Sequence, residues 1–319
     1  RQADKYDVPR ICFVNKMDRV GADFLAVVGQ IQNELGSNAV PLTLPIGAEK
    51  DFRGIIDLVA QCAVYYDEDD RGRTFREEPI PAALKAEASR WRHFLIEKAA
   101  EADARLLEKF CGDEEISAAE LKAAVRAATH ARRICPVLCG SAFKNKGIQR
   151  LLDAVVDYLP SPLDLPPVIG ASPQGNPLER VPADDGRLAA LAFKVMADKH
   201  VGKLVFARVY SGTLRAGTYV LNSTKGRRQR VGRLMRMHAN HREMVDALYA
   251  GEIGAVIGLG DTVTGDSICC EEHPIILEAI EFPAPVLSIA VLPAAGGEDE
   301  KLTEALHRLA EEDPTFIVA

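Results

Sequence analysis

Residues 10–20 read RICFVNKMDRV, and the rest of the chain takes its meaning from them. Ile11, Cys12, Phe13 and Val14 form a short apolar run that stops at Asn15, Lys16 and Asp18, with Met17 among them. A run of that length ending in a polar cluster predicts a buried strand that delivers side chains at its carboxyl end. In open α/β sheets, ligands sit at that edge. Asn15 and Asp18 then carry a specific chemistry. A carboxylate accepts from the N1–H and exocyclic amino group of guanine, an Asn amide serves the N7 and O6 edge, and a Lys stem lies along a ring face. Adenine offers a carboxylate the opposite pattern. A plain strand-to-helix turn with Asp18 as a helix cap uses the same residues, so this stretch alone leaves both readings open.

A second stretch, residues 136–147 (PVLCGSAFKNKG), repeats the arrangement. Val137, Leu138 and Cys139 are apolar, and Gly140, Ser141, Ala142, Phe143 and Lys144 follow. Small residues after a strand let the backbone approach a flat ring, which would bring the Ala142 N–H to guanine O6. NKxD followed later by a strand ending in SAF is similar to the guanine-specificity pair of the translational GTPases. The chain resembles the elongation factor G family in VPRICFVNKMDRVGADF (8–24), LPIGAEKDFRGIIDLV (44–59), PVLCGSAFKNKGIQRLLDAVVDYLPSPLD (136–164), VYSGTLRAGTYVLNSTKGRRQRVGRLMRMHANHRE (209–243) and RLAEEDPTF (308–316). These stretches run over nearly the whole sequence. The resemblance implies GTP or GDP as ligand, read by Asn15 and Asp18, with Lys16 stacked on the base. Ser141 and Ala142 would complete the pocket, and Phe143 would pack behind the same loop.

The composition fits a globular chain. Of 319 residues 47% are hydrophobic and 27% charged, and the net charge of −7 argues against a general nucleic-acid coat. No apolar run reaches the length of a membrane span, and no leader precedes the first motif, so a cytoplasmic protein without membrane contact is expected. Cysteines 12, 62, 111, 135, 139, 269 and 270 are irregularly spaced and match no zinc pattern, which predicts reduced thiols. His238 and His241 lack partners at metal-binding spacing and read as surface or packing residues.

The expected fold is α/β and β. Residues 1–165 would form the C-terminal part of a P-loop GTPase domain, opening on the end of a helix at 1–6 and a strand at 8–14. Residues 22–35 place Phe24, Val27, Val28, Ile31 and Leu35 at helical spacing, and Gly36 ends the run. The stretch from there to Pro136 exceeds any βα connection, so an inserted α+β subdomain is expected at about 37–131. It would comprise strands at 42–46, 54–59 and 62–66, an acidic turn at 67–70, and helices over 81–111 and 117–129, with Ser117 and Glu120 as a capping box. Asp51, Phe52, Arg53 and Gly54 spell DxxG, but after NKMD rather than before it, and receive no phosphate role. An amphipathic helix at 148–159 would close the domain. A Pro-rich linker follows at 166–187, then a β-barrel at 188–283 with glycine-containing turns. Residues 284–319 would begin a third, α+β domain, with a strand at 286–292, Gly296 and Gly297, and a helix at 298–311 carrying Ala305, Leu306 and Leu309.

No GxxxxGK[ST] phosphate cradle occurs in the sequence; residues 201–204, VGKL, lack its upstream glycine and its hydroxyl residue. Mg²⁺ ligands, switch segments and the family's catalytic His are expected to lie before Arg1, and further domains after Ala319. The chain alone is therefore expected to bind the guanine half of GTP or GDP without hydrolysing it. Lys225, Arg227, Arg228, Arg230, Arg233 and Arg236 fall in a segment without acids. The resemblance makes them a candidate contact to small-subunit rRNA of the ribosome, and makes the insert a contact to the ribosomal stalk protein. It implies translocation of tRNA and mRNA driven by GTP hydrolysis in the intact parent. A ribosome-recycling paralogue, a release-factor GTPase and a truncated non-enzymatic ribosome-binding module are the alternatives.

Overall fold

A computed structural model describes residues 2–67, 69–198, 202–238, 241–278, 280, 285–293, 299–313 and 315–318. It divides into two compact units, Arg1–Pro160 and Ser161–Ala319.

In the first unit, α1 (Gln2–Lys5), β1 (Cys12–Val14), α2 (Phe24–Leu35) and β2 (Ala39–Pro41) come first. The strands β3 (Thr43–Ile46), β4 (Gly54–Asp57), β5 (Cys62–Tyr66) and β6 (Phe75–Pro79) follow. Then come the helices α3 (Ala82–Ala100), α4 (Ala104–Cys111) and α5 (Ala118–His130), and finally β7 (Cys135–Cys139) and α6 (Ile148–Tyr158). The organising sheet is parallel, with order β1-β7-β2. β1 is shorter than the expected strand at 8–14, because Pro9 has no N–H to give a ladder. In α2, the Asp23 carboxylate accepts the Ala26 N–H at 3.0 Å and Gly36 ends the helix with φ 62°. The cap of the helix after NKMD is thus Asp23, not Asp18. α2 buries Phe24 and Val28, each worth about 1.5–3 kcal/mol over exposure.

The inserted region differs from expectation in two places. Ala39, Val40 and Pro41 are buried and pair with β7, Ala39 opposite Cys135 and Pro41 opposite Val137, so they belong to the parallel sheet. The antiparallel sheet β3-β4-β5-β6 starts at Thr43, beside the expected strand at 42–46, while residues 39–41, expected within the insert from about 37, lie in the parallel sheet. The strand expected at 42–46 leaves β2 out, since no Gly, Asn or Asp between Ala39 and Ile46 marks a boundary between two strands. β6 went unread because FREEP is charged and wholly exposed, the composition of a protected edge strand. The helical stretch 81–111 is split by Asp103, whose carboxylate accepts the Arg105 and Leu106 N–H groups and starts α4. The Ser117–Glu120 capping box is present at α5.

The second unit begins with β8 (Val168–Ala171), β9 (Pro177–Arg180), β10 (Ala189–Asp198) and β11 (Gly202–Ser211). It continues with β12 (Leu214–Arg215), β13 (Tyr219–Asn222), β14 (Arg227–Arg230), β15 (Arg233–His238) and β16 (His241–Val245). β17 (Ala247–Leu248), β18 (Ile253–Ile257), β19 (Ser267–Cys269), β20 (Ile276–Leu277) and α7 (Asp299–Glu312) complete it. An eight-stranded sheet runs β14-β13-β19-β10-β11-β18-β15-β16. Register shifts in β10 between Ala189 and Ala190, and again between Ala192 and Lys194, bend it. The ends of the sheet meet through a separate pair, β12·β17, with Leu214 opposite Leu248. β12 leads into β13 and β17 follows β16, so this pairing curls the sheet around one core that contains Leu214, Leu234, Leu248 and Val256.

Three expectations are corrected here. The Pro-rich stretch 166–187 is not a bare linker: β8 and β9 form a hairpin that β20 extends, in the order β20-β8-β9. Pro177 is tolerated because it opens an edge strand. Within the stretch 188–283 expected as the barrel, Ile276–Leu277 joins that small sheet as β20 instead, and β19, unread in sequence, lies between β10 and β13. Residues 285–293 form no strand; Val286, Leu287, Ile289 and Leu292 are exposed, and no described strand lies beside them. α7 forms as expected, with Leu306 half-buried but Ala305 and Leu309 exposed, while Gly296 and Gly297 lie outside the described residues.

Leu248 is fully buried at the closure of the barrel. Leu248→Ala is expected to destabilise the second unit by about 2–5 kcal/mol, read as an earlier urea midpoint of its unfolding transition. An unchanged midpoint would mean that β12·β17 does not close the core.

Candidate functional site

β1 and β7 are parallel neighbours with Val14 opposite Cys139, so their carboxyl ends finish side by side. The two loops that leave them are stitched together by backbone. The Gly140 N–H donates to the Val14 carbonyl at 3.0 Å, and the Met17 N–H donates to the Gly140 carbonyl at 3.1 Å. Met17 is 1% exposed and plugs the loop into the core. Lys16, with φ 63°, is turned outward and exposed. A left-handed lysine is uncommon, and here it is what separates a buried Met17 from an exposed Lys16.

Asn15 is oriented by two donors. Its Oδ1 accepts the Lys16 N–H at 2.8 Å and the Ala142 N–H at 2.9 Å. Because both partners are N–H groups, the oxygen must face them, and the Nδ2 donors point away from the backbone with no partner among the described residues. The Ala142 N–H, assigned from sequence to guanine O6, is therefore engaged with Asn15. Asp18 has a side chain 12% exposed. Hydrogen bonding from Ser141 holds its carboxyl below the usual carboxylate range, and the Lys144 ammonium, 3.7 Å away, acts in the same direction. Ser141 is buried and exchanges backbone hydrogen bonds with Lys146 at 2.8 and 3.1 Å. A Cβ on Gly140 would meet the Lys146 carbonyl at 2.2 Å and Phe13 Cζ at 2.7 Å, so only glycine lets these strands end so close together. The structure thus gathers Asn15, Lys16, Asp18, Ser141 and Ala142. Phe143 sits on the same turn but is 95% exposed, not packed behind it.

Several supporting residues are not among those expected from sequence. The Glu49 N–H donates to the Met17 carbonyl at 2.9 Å, and the Glu49 carboxylate accepts the Gly21 N–H at 2.7 Å. Lys146 is buried, and its Nζ donates to the Phe52 carbonyl at 3.0 Å. The DxxG stretch therefore serves packing: Phe52 is buried and its carbonyl holds Lys146. Met17 had a signal, an apolar residue inside a polar cluster; Lys146 had none. The turn after β5 also braces the second loop, through Asn145 Nδ2 to the Arg71 carbonyl at 2.9 Å and Gln149 Nε2 to the Gly72 carbonyl at 2.8 Å.

The basic run is less basic in three dimensions. Lys225 pairs with Asp266 at 3.2 Å, Arg227 with Asp261 at 3.2 Å, Arg228 with Glu271 at 2.5 Å and Arg236 with Glu252 at 2.7 Å. Arg230 and Arg233 are exposed and have no acidic partner among the described residues. The cysteines are free thiols. Among the described residues no group of three or more His, Cys, Asp or Glu could hold a metal ion, and no helix is long and apolar enough to cross a membrane.

Comparison with known proteins supplies three family matches. The family described as Elongation factor Tu GTP binding domain matches residues 1–161, Elongation factor G domain 2 matches 187–271, and Elongation Factor G, domain III matches 282–319. Among solved structures, the chain is similar to a crystal structure of a protein from Thermus thermophilus, with a TM-score of 0.79 and 26% identity. That match covers 98% of this chain and 44% of the other, so the chain spans less than half the length of its structural relative.

Asp18 provides a direct test of this geometry. Its carboxyl titrates below the unfolded value, so its ionised form stabilises the loop above the unfolded carboxylate pKa, and that contribution is lost as the pH falls through the folded pKa. Ser141→Ala is expected to raise the Asp18 pKa toward the ordinary range, followed by carboxyl NMR across an acid titration. An unchanged Asp18 titration would remove Ser141 as the cause.

Proposed function

Since the chain belongs to the family of the elongation factor Tu GTP-binding domain, we propose that it is part of an elongation factor G-type translational GTPase and that its paired loops hold the guanine of GTP and GDP. The observation that carries this reading is the double anchoring of Asn15 Oδ1, which leaves the Asn15 Nδ2 donors aimed outward beside an ionised Asp18. Nδ2 donates to the acceptor edge of guanine, N7 and O6. The Asp18 carboxylate accepts from N1–H and the 2-amino group, while adenine would set an acceptor against it. The exposed Lys16 stem covers one face of the ring. Ser141 keeps Asp18 charged and in place, and Ala142 keeps Asn15 turned. Phe143, on the same turn, forms the outer rim of the pocket.

In the intact protein, GTP hydrolysis would be coupled to movement of tRNA and mRNA on the ribosome in the cytoplasm. The order of the three matched families supports this over tRNA delivery. Bound Mg²⁺ would supply charge neutralisation at the phosphates. No residue of this chain is assigned to it, and the chain by itself is proposed to bind nucleotide without hydrolysing it. Arg230 and Arg233, which have no acidic partner among the described residues, are the charges through which the barrel would meet small-subunit rRNA, and the β3–β6 and α3–α5 region is the proposed contact for the ribosomal stalk protein.

The test is nucleotide exchange of preference. Asp18→Asn is expected to weaken GDP binding by about 10- to 100-fold, as expected for hydrogen bonds to a charged group. The same change should improve xanthosine diphosphate, whose 2-oxo group accepts from the new amide. Calorimetric titration of both nucleotides reads the result, and an Asp18→Asn chain that still prefers GDP would overturn the assignment.

A further inference from the structure

Outside the paired loops, the second unit holds at one cavity two arginines, Arg180 and Arg208, that have no counter-ion among the described residues. The cavity, of about 300 Å³, opens between the segment leading into β8 and the outer face of β11. Along β11, Val205, Ala207 and Val209 are buried in the barrel core, so Arg208 and Tyr210 stand on the opposite face. The Arg208 guanidinium lies 4.9 Å from the centre of the Tyr210 ring, and it has no carboxylate partner among the described residues. Arg180, the last residue of β9, is 7% exposed. It donates only to carbonyls, those of Glu179 at 3.0 Å and His273 at 3.2 Å. The Nε groups of both arginines are buried without a partner. Among the described residues no Asp or Glu lines the cavity; Pro162, Pro166 and Pro182 supply its apolar walls.

A buried guanidinium that meets only carbonyls retains most of its charge uncompensated, and a second one beside it adds to the field. Elsewhere in this unit arginines find carboxylates readily, as Arg227, Arg228, Arg236 and Arg242 do. Carboxylates thus reach other arginines of this unit, yet among the described residues none lines this cavity. Proline rings and a tyrosine face are flat, rigid and apolar, suited to a ring rather than to a hydrated ion.

We propose that this cavity binds a small organic anion, a carboxylate or phosphate group carried on a flat apolar body. The anionic group meets the Arg208 guanidinium, with the Arg180 charge behind it. The body lies among the prolines and Tyr210. The site is separate from the guanine loops and does not depend on them.

The experiment is isothermal titration of the full chain at low chloride with phenyl phosphate, benzoate, inorganic phosphate and benzyl alcohol. Saturable binding of phenyl phosphate or benzoate is expected, with benzyl alcohol silent; whichever anion binds more tightly identifies the source. Arg208→Gln should weaken that binding at least about 10-fold, whereas Arg227→Gln and Asp18→Asn should leave it unchanged. The Asp18→Asn arm keeps this result independent of the nucleotide reading. Arg180→Gln removes a buried side chain and is read only beside Arg208→Gln, whose position on the outer face spares the core. No saturable binding, equal binding by inorganic phosphate alone, or an Arg208→Gln chain that binds as tightly as the original would overturn the proposal.

Discussion

The parallel pairing of β1 with β7 is the contact on which the candidate site depends. Val14 and Cys139 face each other, so Asn15 and Gly140 are the first residues beyond a shared edge. The hydrogen bonds between Gly140 and Val14, and between Met17 and Gly140, can form only in that register. A slip by one residue would turn Met17 to solvent and carry Asn15 away from the Ala142 N–H. The absence of a Cβ at Gly140 sets how closely the strands end, and the buried Met17 and Lys146 hold each loop from beneath. Asn15 and Asp18 are thus presented by a frame of engaged backbone groups, which is what a discriminating polar site needs.

Electrostatics in this chain are decided by what the fold brings across strands rather than by neighbours in sequence. The segment 225–236 reads as a basic run, yet Asp261, Asp266, Glu271 and Glu252 arrive from other turns and strands and pair with much of it. Arg180 and Arg208 show the converse. Arg180 even follows Glu179 in sequence, but the fold places both arginines at a cavity that, among the described residues, no carboxylate lines. The same logic governs Asp18, whose charge is supported by Ser141 and Lys144, more than a hundred residues away along the chain.

Elements with strong local signals were legible. The helix after NKMD carried its periodicity and a terminal glycine, the Ser117 capping box was written in four residues, and the guanine-type motifs each followed an apolar run. Where reading failed, the reason was a competing physical demand. β6 and β9 are edge strands, whose charges and prolines protect against aggregation and look like turns. β2 lies outside the strand expected at 42–46, because residues 39–46 carry no Gly, Asn or Asp to mark where one strand ends and the next begins. The stretch 285–293 has a strand's composition, but β-structure requires a partner, and none of the described residues provides one.

By itself, the sequence determined the chemistry of the site: which donors and acceptors follow the two strands, in what order, and that the chain is built from a GTPase-type half and a strand-rich half. Side-chain type and spacing are local properties, and a strand or helix reports them directly. Only the tertiary structure decided how those groups are used. It turned Asn15 by giving its oxygen two backbone donors, spent the Ala142 N–H on that task, put Phe143 into solvent, and neutralised most of the basic run. Those outcomes depend on groups distant in the chain meeting at hydrogen-bonding distance, and distance in space is what a linear sequence does not contain.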